Sequence, residues 1–300
     1  MHELAVLPST PRPPGSGRHP SWIKVRAPGG RRYEKLKEIL GARGLHTVCE
    51  EAECPNIGEC WGHGTATFML LGDLCTRGCR FCAVGKGKPE PPDPAEPEHI
   101  AEAVEALGLD YAVLTSVDRD DLPDQGAGHF ARTIEAIRRR LPGCGVEALV
   151  PDFQGDPACV GRVAATPLTV FAHNIETVPR LYRHVRPGAV YERSLNVLEL
   201  AKYRSPDPAL LTKASLILGL GEERSELEDV FADLRDHGCD ILTLGQYLRP
   251  SHHQLPVVRY LPPEEFAELR AGALAHGFRQ VVSGPLVRSS YHAWEAVMAK

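Results

Sequence analysis

Residues 67–82 read TFMLLGDLCTRGCRFC. The stretch opens with an apolar run that does not alternate with polar residues, the pattern of a strand buried on both faces. Directly behind it, Cys75, Cys79 and Cys82 fall within eight positions. A buried strand that runs into a loop of reactive side chains fits a parallel α/β sheet. Such sheets keep their sites at the carboxyl ends of their strands.

Further along the chain, five more runs of this kind follow: YAVLTSV (111–117), VEALVPDF (146–153), LTVFAHNI (168–175), KASLILGLG (213–221) and ILTLGQYL (241–248). Amphipathic stretches at 95–107, 129–141, 192–204 and 223–238 lie between them and carry helical periodicity. Six βα units in succession predict a parallel sheet with crossover helices. A closed eight-stranded barrel needs more units than this, so the expected architecture is an open, six-stranded partial barrel. Upstream, Tyr33, Leu36, Ile39 and Leu40 stand at helical spacing within 31–44, while residues 1–30 are rich in Pro, Gly and Arg and read as an extended arm.

Composition removes several function classes. The 300-residue chain is long enough for a real core and is 43% hydrophobic and 24% charged, which is ordinary for a globular protein. A net charge of −5 lacks the basic excess of a nucleic-acid binder. No apolar run reaches the length of a membrane span, and the first residues carry no secretory pattern. A cytoplasmic location is therefore expected. Of the nine cysteines, six lie between Cys49 and Cys82, and Cys144, Cys159 and Cys239 stand alone. An odd total without an export signal argues for reduced thiols. The isolated three read as small buried hydrophobes, and the clustered six as metal or redox ligands.

Thiolate is a soft donor that selects zinc, Cu(I) or iron–sulfur clusters. Zinc sites commonly close at four ligands from paired knuckles. Cys75-x3-Cys79-x2-Cys82 offers three. Three thiols on a [4Fe–4S] cube leave one iron open to a small molecule. A second set, Cys49-x4-Cys54-x5-Cys60, again offers three. Zinc held with His46 or His63 is one alternative for it, and a share in a single cluster is another. A strand-like segment at 67–72 separates the sets, which favours two clusters.

C-x3-C-x2-C behind the first strand of an α/β barrel, with Phe81 just before the third cysteine, resembles the radical SAM enzymes. The preceding C-x4-C-x5-C set narrows the resemblance to the lipoyl synthase family. WIKVRAPGG (22–30), LHTVCEEAECPNIGECW (45–61), LTSVDRDDLPD (114–124), HNIETVPRLY (173–182), GQYLRPSHHQLPVVRY (245–260) and VRSSYHA (287–293) are similar to runs in that family. Two departures, Gln125 in DLPDQGA and the run TKASLI, touch no proposed ligand.

The resemblance implies a partial (β/α)6 TIM-like radical SAM barrel over 65–280. An N-terminal extension, 1–64, carries the auxiliary cysteines, and a C-terminal segment, 281–300, closes their site. It implies two 4Fe–4S clusters and S-adenosylmethionine (SAM) as cofactors. Cys75, Cys79 and Cys82 would hold the cluster that cleaves SAM to a radical that abstracts hydrogen. Cys49, Cys54 and Cys60 would hold an auxiliary cluster spent as the sulfur source. Its fourth ligand would be Ser290, or else Ser289; helix capping by these serines stays open beside that role. By position, Thr115 and Ser116 would meet the amino-acid part of SAM, Asn174 and Glu176 its ribose, and Gly219 and Gly221 its adenine.

Asp118, Asp120 and Asp121 read equally as part of that strand-end site and as a solvated turn or a helix start. Arg288 reads as a partner for a carboxylate near the auxiliary site or as a surface cation. The implied reaction adds sulfur at C6 and C8 of an octanoyl group on the lysine of a carrier domain. Its partners would be octanoylated carriers of 2-oxoacid dehydrogenase complexes or of glycine cleavage, with a ferredoxin or flavodoxin as electron donor. Arg180, Arg183 and Arg186 recur three apart, as on one helix face that meets an acidic carrier or faces solvent. The rival readings are another sulfur-inserting radical SAM enzyme, such as biotin synthase, and a non-catalytic iron–sulfur protein.

Overall fold

The computed structural model describes residues 19–24, 29–51, 54, 56–62, 66–291 and 293. Most of the N-terminal arm, His63 and the last seven residues lie outside them. The extension contains α1 (Arg31–Ala42), β1 (His46–Thr47), α2 (Val48–Glu51) and α3 (Ile57–Gly62). Leu36, Leu40 and Trp61 bury its apolar side, with the Tyr33 ring 4.9 Å from that of Trp61. β2 (Thr67–Leu70) follows, then a small ladder of β3 (Leu74–Cys75) and β4 (Gly85–Lys86). Next come α4 (Glu96–Leu107), β5 (Tyr111–Ser116), α5 (Ala127–Arg140), β6 (Gly145–Leu149), α6 (Pro157–Ala164) and β7 (Val170–Ala172). The chain continues through α7 (Pro179–Val185), α8 (Tyr191–Arg204), β8 (Leu211–Leu218), α9 (Arg224–Asp236), β9 (Ile241–Gln246), α10 (Pro263–Ala275) and β10 (Gln280–Gly284).

The main sheet runs β1-β2-β5-β6-β7-β8-β9-β10. Every pairing is parallel except β1 on β2, where His46 faces Met69 and Thr47 faces Phe68. The sheet thus takes one more parallel strand than the six read from sequence. β10 straddles the boundary between the barrel and the closing segment, with all but Gln280 in the latter, and the antiparallel edge strand comes from the extension.

Alternation along the strands sorts the two faces. Ala214, Leu216 and Leu218 pack outward against Phe231, Phe266 and Leu269 of the helical layer. Val170, Ala172, Leu211 and Ile241 form a small separate cluster on the opposite face. Lys213 shares that face with Leu211 by the period of two. Its Nζ donates to both oxygens of Glu147, at 2.9 and 3.1 Å, and the Tyr111 hydroxyl adds a third donor at 3.3 Å. Both charged residues are 1% exposed. Removing one partner would leave the other charge buried and uncompensated, at a cost of roughly 3–5 kcal/mol. Lys213→Ala should lower the unfolding free energy by about that amount in a denaturant titration. The double change Lys213→Met with Glu147→Leu should recover most of it. An unaltered midpoint in the single variant would contradict the pairing.

The sheet does not close on itself, and its ends are bridged by other contacts. Thr67 Oγ1 donates to Ser290 Oγ at 2.9 Å, Asn56 Nδ2 to the Leu286 carbonyl at 2.6 Å, and the Tyr291 hydroxyl to Glu59 at 3.1 Å. The chain after β10 crosses directly over β9. A Cβ on Gly245 would stand 2.0 Å from the Val287 carbonyl oxygen. Only glycine allows that crossing, and the crossing sets Arg288, Ser289 and Ser290 in the seam.

Candidate metal centre

The loop carrying the first thiols is fixed at several points. Gly87 N donates to the Cys75 carbonyl at 3.2 Å, Thr76 N to that of Asp118 at 3.1 Å, and Arg80 N to that of Val185 at 2.9 Å. Cys75 Sγ accepts from the backbone N–H of Arg77 at 3.4 Å and of Asp118 at 3.3 Å. An Asp118 carboxylate oxygen lies 3.8 Å from the same sulfur. Arg77 ties the loop to the neighbouring strand ends. Its fork donates to Asp120 at 2.7 and 2.8 Å, and the guanidinium pairs with buried Asp152 at 2.7 Å. Burial works to raise the Asp152 carboxyl, yet Arg77 holds it down at about 2.

In each set the thiols are electrostatic neighbours: Cys82 feels Cys79 and Cys75, and Cys60 feels Cys49 and Cys54. Burial pushes Cys75 and Cys49 up to about 11 and Cys82 and Cys60 up to about 12. Crowded, buried thiols resist ionising until a metal core supplies positive charge, so metal loading and deprotonation are coupled. Among the described residues, no three His, Cys, Asp or Glu side chains stand at the spacing one metal ion needs. A cube attaches each thiolate to a separate iron and asks only that the thiols be neighbours.

The two sets face adjoining cavities. Cys49, Cys54 and Ser290 line one, and Cys75 and Cys79 line the other. Phe81, Cys82, Asn174, Glu176 and Ser289 belong to both, forming the wall between them. Cys60 lines neither and sits behind Cys49 and Cys54. A further cavity, beside Arg43, His46, Pro91 and Glu96, contains no thiol.

Thr115 and Ser116 line the first-set cavity, where Ser116 Oγ is buried without a hydrogen-bond partner. Asn174 Nδ2 donates to Glu176 Oε1 at 3.0 Å. Glu176 sits at φ 68°, a left-handed backbone that costs a non-glycine residue energy and is common at functional sites. Burial raises its carboxyl, against the pull of Arg186. Gly219 and Gly221 line neither thiol-bearing cavity. Gly219, at φ 100°, lies where a Cβ would stand 2.3 Å from the Gln246 amide and 2.4 Å from the Arg259 carbonyl oxygen. Its conformation serves that packing.

The three arginines of 180–186 do not share a face. Arg180 pairs with Glu226 at 2.7 Å, Arg183 is exposed, and Arg186, just past α7, is turned inward. Arg186 Nη1 donates to the Asn174 carbonyl at 2.7 Å, and its Nε is buried without a partner beside Cys79 and Glu176. Its role in the cavity was not legible from spacing. Nor was that of His173, whose Nδ1 contacts the Val150 carbonyl at 2.8 Å while Nε2 is buried without a partner. Asp118 and Asp120 are bound to Arg77, and Asp121 to Arg119 at 2.8 Å, so they do not form a free solvated turn. Arg288 is a half-buried cation that lines the second-set cavity rather than an exposed surface one. Burial lowers its pKa, while Cys54 and Glu176 pull the other way. The isolated Cys144, Cys159 and Cys239 are buried, as expected.

The family model of the radical SAM superfamily matches residues 69–234, and that of the N-terminal domain of lipoyl synthase of the radical SAM family matches residues 10–54. Lipoyl synthase of Methylococcus capsulatus is 56% identical over 292 residues, covering 97% of this chain and 90% of that protein. Lipoyl synthase of Chloroflexus aggregans is 53% identical over 293 residues, covering 98% and 95%. The chain belongs to the lipoyl synthase family. Among solved structures, methylornithine synthase superposes with a TM-score of 0.55 at 15% identity, covering 71% of this chain and 69% of its own. The Streptococcus suis protein SuiB bound to S-adenosylmethionine gives 0.56 at 9% identity, covering 75% and 52%. These two likenesses concern the fold alone.

The cofactors of this lipoyl synthase family member are SAM and 4Fe–4S clusters. Its residues fit them. Soft thiolates come in threes, leaving an iron position open to a ligand. Beside the first three, Ser116 Oγ and Arg186 Nε are buried polar atoms without a hydrogen-bond partner among the described residues.

Proposed function

We propose that this chain inserts two sulfur atoms, at C6 and C8, into an octanoyl group held on a lysine of a lipoyl carrier protein. The observation that carries the proposal is that Cys49 and Cys54 line one cavity and Cys75 and Cys79 an adjoining one, with a wall shared between them. An alkyl C–H bond has no acidic proton for a general base to take. When bound, SAM and the two clusters supply hydrogen abstraction from such carbons and the sulfur to replace it.

In this proposal Cys75, Cys79 and Cys82 hold the first cluster, and Cys49, Cys54, Cys60 and Ser290 the auxiliary one. Serine oxygen is a harder, poorer iron ligand than thiolate, which suits a cluster that must come apart. Thr115, Ser116, Asn174 and Glu176 bind SAM, and the unpartnered Nε of Arg186 meets its carboxylate.

The carriers would be those of 2-oxoacid dehydrogenase complexes or glycine cleavage, and a ferredoxin or flavodoxin would deliver electrons. A cytoplasmic location agrees with nine free cysteines. Among the described residues no helix is long and apolar enough to cross a membrane. The biotin synthase alternative gives no task to Cys49, Cys54 and Cys60. A closed electron-transfer site would need a fourth thiol in each set.

The test is a single-turnover reaction of cluster-loaded protein with SAM, a strong reductant and an octanoyl-lysyl peptide. The expected peptide gains two sulfurs as two thiols, and loses two hydrogens only on later oxidation to the disulfide, with two 5′-deoxyadenosines formed per product. SAM cleavage with an unchanged peptide would contradict the substrate assignment.

A further inference from the structure

Cys75 differs from the other thiols in what surrounds its sulfur. Two backbone N–H groups point at it, from Arg77 at 3.4 Å and Asp118 at 3.3 Å, and a carboxylate oxygen of Asp118 stands 3.8 Å away. That carboxylate belongs to a wider charge group. Arg77 pairs with Asp120 and Asp152 at 2.7 Å each but reaches Asp118 only at 3.5 Å. Arg193 is spent on Asp152 at 2.8 Å. Two guanidinium groups are thus paired with three carboxylates, a third, Arg186, acts on Asp118 only through space, and Asp118, which contacts the sulfur, has the longest ion-pair contact of the three.

We propose that Asp118 and Arg77 act as positioning residues that set the reduction potential of the first cluster through Cys75. The proposal rests on Cys75 being a ligand of that cluster. Hydrogen bonds to a ligating sulfur and the net charge around a cluster are the protein's means of tuning its potential. N–H donors stabilise the reduced, more negative state and raise the potential. A carboxylate in contact with the sulfur does the opposite and keeps the cluster a strong reductant, as cleavage of a C–S bond requires. Arg77 moderates that carboxylate, and its own backbone N–H holds the sulfur.

The test is a potentiometric titration of the full-length, cluster-loaded protein. It follows the electron paramagnetic resonance signal that changes when SAM is added, and iron is counted first. Asp118→Asn keeps shape and backbone while removing the negative charge, so the midpoint should move to a less negative value. Arg77→Gln removes the compensating cation, so the midpoint should move the other way. A merely structural pair would not give opposite signs. An unmoved midpoint in loaded Asp118→Asn, or a shift of the same sign in both variants, would overturn the inference. So would failure of both variants to load the cluster, which would make the pair loop scaffolding. Wild-type protein with no SAM-responsive signal would instead overturn the assignment of Cys75, and this inference with it.

Discussion

Cys79→Ala should abolish SAM cleavage and cut the iron content from about eight to about four atoms per chain. In the proposed assignment the first set supplies the three thiols on which the cluster depends, and no other thiol is placed to replace one. Cys144, Cys159 and Cys239 are buried elsewhere. The loop itself is held by Arg80 N on the Val185 carbonyl and by Leu255 N on the Arg80 carbonyl, at 2.9 and 3.0 Å. It does not swing to recruit a distant ligand. Cys79 also lies beside Arg186, whose charge eases its ionisation against burial. The variant should fold, because it deletes one sulfur from a half-buried position. Iron analysis and chromatography of 5′-deoxyadenosine check the outcome. Retained cleavage at full iron would mean that Cys79 is not a ligand.

Cys54→Ala should also halve the iron, yet it should leave SAM cleavage in place while abolishing sulfur addition to the octanoyl peptide. The difference follows from the geometry. Cys54 lines the cavity next to Arg288 and Ser290, across the wall of Phe81 and Glu176 from Cys75 and Cys79. Its electrostatic neighbours are its own set and Arg288, and the first-set thiols are not among them. Removing it should therefore spare the first cluster. The readout is the ratio of 5′-deoxyadenosine to modified peptide, which should rise from a finite value to one with no detectable product. Equal loss of both activities would mean that the two sets hold one shared cluster.

Much of the scaffold was legible because burial on both faces leaves a plain signature. All six apolar runs read from sequence contain strands of the parallel sheet. β10 escaped because QVVSG offers only two adjacent apolar residues, and its inner positions are only half-buried. α10 escaped because Ala267, Ala271, Leu274 and Ala275 spread apolar residues beyond its buried stripe of Phe266, Leu269 and Ala273 and blur the helical period. The grouping of six cysteines into two sets of neighbours was legible from spacing alone. Arg77 and Arg186 were not, since their partners come from other strand ends, 41–75 positions away in the case of Arg77 with Asp118 and Asp152.

Periodicity misled at Arg180, Arg183 and Arg186, because α7 ends at Val185 and the turn past it carries Arg186 into the cavity. The two glycines after β8 suggested a close approach. The approach at Gly219 is made by Gln246 and the Arg259 backbone. The placement of Ser290 opposite Thr67 depends on the crossing at Gly245, a tertiary contact that no local pattern reveals.

The most direct measurement uses protein whose clusters have been rebuilt with heavy-isotope sulfide and then freed of excess sulfide. One turnover with SAM, reductant and the octanoyl-lysyl peptide is analysed by mass spectrometry. Both added sulfurs should carry the heavy isotope, and the chain should retain about four of its roughly eight irons, held by Cys75, Cys79 and Cys82. Light sulfur in the product, or a full complement of iron after turnover, would contradict a sulfur source held by Cys49, Cys54, Cys60 and Ser290.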